Sequence, residues 1–220
     1  MTTITDDATP RPTSAEVSAL TTNLAKVKEF CNTFEVQLPG IWDDVSDEGR
    51  ALWANLIVEE FNEFTDAKTR VDRLDAVCDL LYVALGGMLA CSFHAPIYKS
   101  HGINKPLQKA VGEAVTQLRK NPPCQAGCQN DLPALTITMQ RIGNGMFKYA
   151  NFNGAFAAVH ANNMEKLWTP EQTLMPTGEN VVTVKAKQIG NTIRYLVRRA
   201  SDGKIIKPPN HKKVDLTPYI

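Results

Sequence analysis

Leu56-Ile-Val-Glu59-Glu60-Phe-Asn-Glu63-Phe64, followed after a short gap by Asp75-Ala-Val-Cys-Asp79-Leu-Leu-Tyr-Val83, is the stretch on which the reading of this chain turns. Glu59 and Glu63 are four residues apart and Glu60 and Glu63 three apart, so on a helix the three carboxylates form one patch. Asp75 and Asp79 repeat the four-residue spacing inside an otherwise apolar segment, and no Lys or Arg follows Arg73 on it. A carboxylate removed from water needs a compensating partner to stay ionised. The connection around Thr69-Arg70 is short, which makes the two segments antiparallel neighbours and lets five carboxylates face one another. At that density they repel unless cations sit between them. Glu59, Glu60 and Glu63 by themselves also read as an ordinary solvated helix face; Asp75 and Asp79 do not. Hard oxygen donors suit Mg²⁺ or Mn²⁺ rather than zinc. A di-iron bundle would want Glu-x-x-His, and the corresponding positions here are Glu60-Phe-Asn-Glu63.

Outward from this pair the chain reads as mostly helical. Thr13-Ser-Ala-Glu16 has the form of a capping box. It opens a first helix whose apolar set is Val17, Leu20, Leu24, Val27, Phe30 and Phe34. Pro39-Gly40 breaks the chain. The second helix is expected over about 47–67, with acids in its first turn and Leu52, Leu56, Phe61 and Phe64 as its buried face. The third, about 71–92, is apolar nearly all round, a pattern that implies burial on every side. In so short a chain that predicts cover from a second subunit. Residues 94–153 look less regular, with helices opening near Asn104-Lys105-Pro106 and Asp131-Leu132-Pro133 and running to about 120 and 150. A further short helix is expected over about 154–167. From Val181 the pattern turns β-rich, and Ser201-Asp202-Gly203 is a hairpin turn signal. The expected organisation is a flexible tail (1–12), an all-α catalytic domain (13–168) with a helical insertion at about 94–153, and a C-terminal β hairpin with a basic tail (169–220).

Composition narrows the function. The chain has 220 residues, 43% apolar and 21% charged, with a net charge of +1. There is enough apolar material for a core, and no whole-molecule field for a nucleic-acid polymer or a membrane. The charge is segregated all the same. Residues 47–66 hold six acids and one base, and residues 181–213 hold nine bases and one acid. The longest apolar run, Leu80 to Phe93, is too short to span a bilayer. No signal peptide is evident, and five cysteines without one suit reduced thiols in a cytoplasm.

The acidic motifs, together with Val159-His160-Ala-Asn-Asn163-Met-Glu-Lys166-Leu and the tail Ser201-Asp-Gly-Lys204-Ile-Ile-Lys207-Pro-Pro…Asp215-Leu, resemble the MazG-like nucleotide pyrophosphohydrolases. More narrowly they resemble the phage-type branch related to phosphoribosyl-ATP pyrophosphohydrolase. The resemblance covers about 47–93 and 154–220. Ala161 and Asn162 stand where that branch more often has Arg and Ser. It implies an all-α core akin to a four-helix bundle and completed by oligomerisation as a dimer or dimer of dimers, with a small C-terminal β hairpin. It implies hydrolysis of a nucleoside triphosphate between the α and β phosphates in the cytoplasm (a host's, if phage-encoded). Two or three Mg²⁺ ions per site, with Mn²⁺ as a substitute, would be held by Glu59, Glu60, Glu63, Asp75 and Asp79. One glutamate would activate water, and Asn163 and Lys166 would hold phosphate oxygens, Lys166 also stabilising developing charge. The analogy leans to dGTP or GTP; dUTP and phosphoribosyl-ATP are the alternatives, and so is a catalytically silent helical oligomer that binds metal or a protein partner.

Other residues extend this expectation. His160 can touch phosphate or serve as a structural hydrogen bonder. Lys204 and Lys207 can close over substrate as a basic lid or stay solvated. Trp168 can stack on a base, whereas Trp53 reads as core. Cys124-x-x-x-Cys128 with His94 or His101 is a poor zinc pattern, and two free loop thiols are the plainer reading. Walker A, dinucleotide-fold and Ser-His-Asp patterns are absent from the sequence.

Overall fold

Thr13 opens the first helix as its sequence predicts. Its hydroxyl accepts from the Glu16 N–H (3.2 Å), and the Glu16 carboxylate accepts from the Thr13 N–H (2.7 Å). The computed structural model describes residues 11–36, 46–90, 106–119, 131–176, 182–201 and 203–220. The expected tail up to residue 10, the Pro39-Gly40 break, the apolar run beyond Ala90 and the Asn104-Lys105 opening lie outside the described residues. So do His94, His101, the Cys124 to Cys128 loop and Asp202.

The protein is all-α with a small C-terminal sheet. Six helices, α1 (Ser14–Thr33), α2 (Asp47–Asp66), α3 (Arg70–Ala90), α4 (Leu107–Arg119), α5 (Asp131–Met146) and α6 (Tyr149–Met164), precede strands β1 (Val182–Ile189) and β2 (Thr192–Arg199). Ser46 caps α2 by accepting from the Gly49 N–H (3.1 Å). Thr69 caps α3 through reciprocal bonds with Asp72. The chain forms two compact units, residues 1–157 with 216–220 and residues 158–215, the division falling within α6.

In the first unit α3 is the central element. Fifteen of its residues are buried, Leu74, Val77, Leu80, Leu81, Leu85 and Met88 completely. Within the chain itself α1, α2 and α5 pack on α3. The expected helical insertion contributes α5 to that packing. In α5 the unbroken run from Leu132 to Gln140 is buried, and α4 packs on both α2 and α5. Because α2 lies between α3 and α4, its contact face centres on Ala54 and Ile57. Leu52, expected inside, is 40% exposed.

The expected helices at 131–150 and 154–167 are replaced by α5 and α6, which break at Phe147-Lys148. Arg70 secures this corner. It donates to the Met146 carbonyl (3.1 Å) and its guanidinium lies 5.3 Å from the centre of the Phe147 ring. Gly143 is needed there, since a Cβ at that position would lie 2.5 Å from the Phe152 ring.

Trp53 is likewise seated on a glycine. A Cβ at Gly86 would meet its indole at 2.3 Å. Alanine ordinarily favours a helix over glycine by roughly 1 kcal/mol. Here overpacking, typically about 1–3 kcal/mol, outweighs that gain. Gly86→Ala is therefore expected to lower the urea midpoint of unfolding, and an unchanged or raised midpoint would contradict this packing.

The second unit holds the hairpin. β1 and β2 pair antiparallel from Val182 opposite Arg199 to Ile189 opposite Thr192. Their turn is Gly190-Asn191, with Gly190 at φ +54°, not Ser201-Asp202-Gly203. The second turn signal has its own use. Gly203, at φ +72°, returns the chain so that Arg199 N–H donates to the Lys204 carbonyl and Ile206 N–H to the Val197 carbonyl, both 2.9 Å. Tyr195 also exchanges two backbone hydrogen bonds with Trp168, both 2.9 Å. Trp168, Leu196 and Val197 are the buried apolar residues at the centre of this unit.

Candidate active site

The acids of α2 and α3 form one electrostatic group. Glu60 is half-buried, and its carboxyl is pushed up to about 8, first by burial and then by repulsion from Asp79, Glu63, Glu59 and Asp75. All four other sequence-nominated acids thus bear on Glu60. Glu59 and Glu63 are exposed, Asp79 is half-buried and Asp75 is buried at 7% exposure. The placement follows from the helical spacing read above, with α2 packed against α3 across the short Ala67-Thr69 connection. Cys78, between the two aspartates, is fully buried, and its thiol is pushed well above its usual value by burial and by Asp79 and Asp75. It is held as a neutral thiol and does not compete as a donor.

Among the described residues no three His, Cys, Asp or Glu side chains already close into a cage for an ion. Mg²⁺ does not require one. It commonly binds through one or two carboxylates, several waters and the phosphates of a substrate. An all-oxygen, mutually repelling donor set on two helices fits that mode and fits zinc poorly. A hollow on α4 and the start of α5, lined by Lys109, Gly112, Glu113, Thr116, Gln117 and Asp131, contains none of the five acids.

The remaining sequence-nominated residues belong to the second unit. His160 and Asn163 are buried near the end of α6, at 8% and 9% exposure, and Lys166 is half-buried. Lys204 and Lys207 are exposed. Trp168 is 1% exposed, and its indole N–H donates to the Ile206 carbonyl (2.8 Å). Its ring is packed within the second unit. His211 had escaped notice in the sequence. Burial, Lys207 and Lys166 hold its imidazole below its usual value, with Glu165 opposing. Asn162 Nδ2 donates to the Lys212 carbonyl (2.8 Å) and ties this segment to α6. The sequence signal was only a lone histidine in a basic tail; the neighbourhood of Lys166 comes from tertiary structure.

Two packed helices of an all-α unit thus carry five acids that act on one another electrostatically. Residues 27–92 match the family model described as phosphoribosyl-ATP pyrophosphohydrolase. The matched stretch contains α2, α3 and all five acids, and it ends before α4. The activity it points to is that of a pyrophosphohydrolase, a hydrolase of acid anhydrides. No curated protein and no solved structure matches the chain. Among the described residues no helix is long and apolar enough to cross a membrane.

Proposed function

We propose that this protein is a Mg²⁺-dependent nucleoside triphosphate pyrophosphohydrolase of the cytoplasm, acting as a homo-oligomer on a nucleotide pool, with dGTP or GTP as the preferred substrate. The observation that carries this reading is the group of four carboxylates raising a fifth, Glu60, inside the segment that matches a pyrophosphohydrolase family. Glu59, Glu60, Glu63, Asp75 and Asp79 are the residues that would hold Mg²⁺, or Mn²⁺ in its place. Bound there, the ions supply neutralisation of the polyphosphate and acidification of a water.

The chain's own groups do the rest. Water attacks the α-phosphorus and the bond from that phosphorus to the bridging oxygen breaks. Pyrophosphate leaves on that oxygen, and the monophosphate keeps the new one. One glutamate of α2 takes the proton of the attacking water, a role suited to a carboxyl raised toward neutrality. Asn163 and Lys166, with His160, Lys204 and Lys207, are the proposed phosphate contacts. An ammonium complements negative charge that grows on the phosphates. The description of the matching family favours phosphoribosyl-ATP as a second candidate substrate.

The test is incubation of the purified protein with Mg²⁺ and each common NTP, dNTP and phosphoribosyl-ATP, with products separated by chromatography. Monophosphate and pyrophosphate from a guanine nucleotide is the expected result. The same products from phosphoribosyl-ATP alone would favour the second substrate. Diphosphate and phosphate would refute the bond assignment, and no turnover of any would refute the enzyme.

A further inference from the structure

Within the second unit the C-terminal tail is clasped to the end of α6 at two points. Asn162 Nδ2 donates to the Lys212 carbonyl (2.8 Å), and the Trp168 indole N–H donates to the Ile206 carbonyl (2.8 Å). The two stretches of chain therefore run antiparallel, Asn162 to Trp168 on one side and Ile206 to Lys212 on the other. Between the clasps the tail makes a tight turn, Pro208-Pro209-Asn210-His211. The His211 N–H closes it by donating to the Pro208 carbonyl (2.9 Å). Proline in the second position presets such a turn, and Pro208 is buried. The turn is thus held in place, with Lys207 just before it and the half-buried His211 at its end.

What the clasp brings together is mainly positive. Lys166, on the α6 side, and Lys207, on the tail side, both bear electrostatically on His211, with Glu165 as the opposing charge. Burial and the two ammonium groups keep the imidazole neutral to lower pH than is usual for histidine. Asn163, buried at 9% exposure, lies on the same stretch as Lys166 between the two clasps. Cations fixed near one another repel, and a multiply charged anion set among them removes that repulsion. With the lysine charges offset in this way, the imidazole gains by protonation where before it lost.

We infer that Lys166, Lys207 and His211 form a cradle for the phosphate chain of the nucleotide, and that His211 takes up a proton from solvent as the chain enters. The imidazolium then donates an N–H to a phosphate oxygen, a charge-assisted bond. His211 is thereby a further substrate contact, and one whose strength depends on pH. The cradle holds phosphate more tightly as pH falls through the range in which the bound state protonates. The inference rests on the proposed nucleotide ligand but not on its hydrolysis.

The probe is inorganic pyrophosphate, and the readout is the His211 ring resonance in proton NMR followed against pH. Its midpoint is expected to rise when pyrophosphate is added, whereas a merely structural histidine would not respond. Titration calorimetry at about pH 8 and about pH 6, either side of the ordinary histidine value, is expected to show about ten-fold tighter binding at the lower pH, the equivalent of a tenfold change in proton affinity. His211→Gln is expected to lose that gain and still bind at the higher pH, its own profile accounting for the titration of pyrophosphate itself. Lys207→Gln is expected to raise the midpoint of free His211 and to weaken pyrophosphate, and it reports independently if His211→Gln does not fold. Nucleoside triphosphates with a methylene bridge between the α and β phosphates are expected to displace the pyrophosphate. A midpoint that pyrophosphate leaves in place, a pH dependence unchanged in folded His211→Gln, or no displacement by the triphosphate analogues would overturn the inference. A moved midpoint with displacement, in a protein that hydrolyses no triphosphate, would uphold the cradle and refute the proposed reaction.

Discussion

Glu60→Gln and Asp79→Asn are each expected to lower the rate of nucleotide hydrolysis by about 10²-fold or more, the scale on which loss of one preorganised electrostatic group at a reacting centre registers. Both changes keep size and shape, so the fold survives and the loss is chemical. A second readout separates a metal role from a merely structural one. Mg²⁺ stabilises the state that binds it, so the wild-type melting temperature is expected to rise with Mg²⁺, and the two variants are expected to lose most of that rise. Variants that keep full activity would remove these residues from the site.

The sign of the effect on the metal-free protein is opposite. Folding raises the Glu60 carboxyl from 4.5 to about 8 through burial and the four surrounding acids. Between those values the folded state binds the extra proton, so this contribution to stability is present at low pH and is lost as pH rises toward 8. Glu60→Gln removes the titration. Without metal the variant is expected to melt higher than wild type at pH 8, and with Mg²⁺ the advantage shrinks or reverses. A site that pays in stability for carboxylates crowded around one another is what ion binding relieves.

The acid pair was legible in the sequence because helical spacing alone sets Glu59, Glu60 and Glu63 on one patch and Asp75 and Asp79 on another, and a short connection leaves two helices little choice but to pack. The first cap was legible for the same local reason, as Thr13 and Glu16 satisfy each other within one turn. What escaped was set by distant partners. The apolar surface of α3 is covered within the chain in part by α5, whose own run of buried residues carries no clear period. The corner between α5 and α6 rests on Gly143 meeting Phe152 and on Arg70 over Phe147, contacts that have no local signature. The hairpin was anticipated from its β-rich runs, yet the turn signal chosen for it was the one that folds Lys204 to Ile206 back onto β2. A buried hydrogen bond joins Asn23 to Gln140 across 117 positions, and asparagine and glutamine give no periodicity by which to find it.

Trp168→Ala is expected to carry the largest cost in stability, about 3–5 kcal/mol, as for other fully buried large aromatic side chains. The indole is 1% exposed, its N–H is bonded to the Ile206 carbonyl, and its backbone is bridged to Tyr195, so the substitution opens a cavity where β2 and the returning segment meet. Trp168→Phe separates volume from hydrogen bond. It keeps a ring in the cavity but leaves the Ile206 carbonyl without its donor, a loss of about 1–3 kcal/mol where the group stays dry. Denaturant unfolding of the two variants is thus expected to rank wild type above Phe and Phe above Ala. The ranking also discriminates between roles. A base-stacking tryptophan replaced by phenylalanine would shift KM for the nucleotide and leave the unfolding midpoint alone. A core tryptophan shifts the midpoint and leaves the base preference alone, which is the outcome its burial demands.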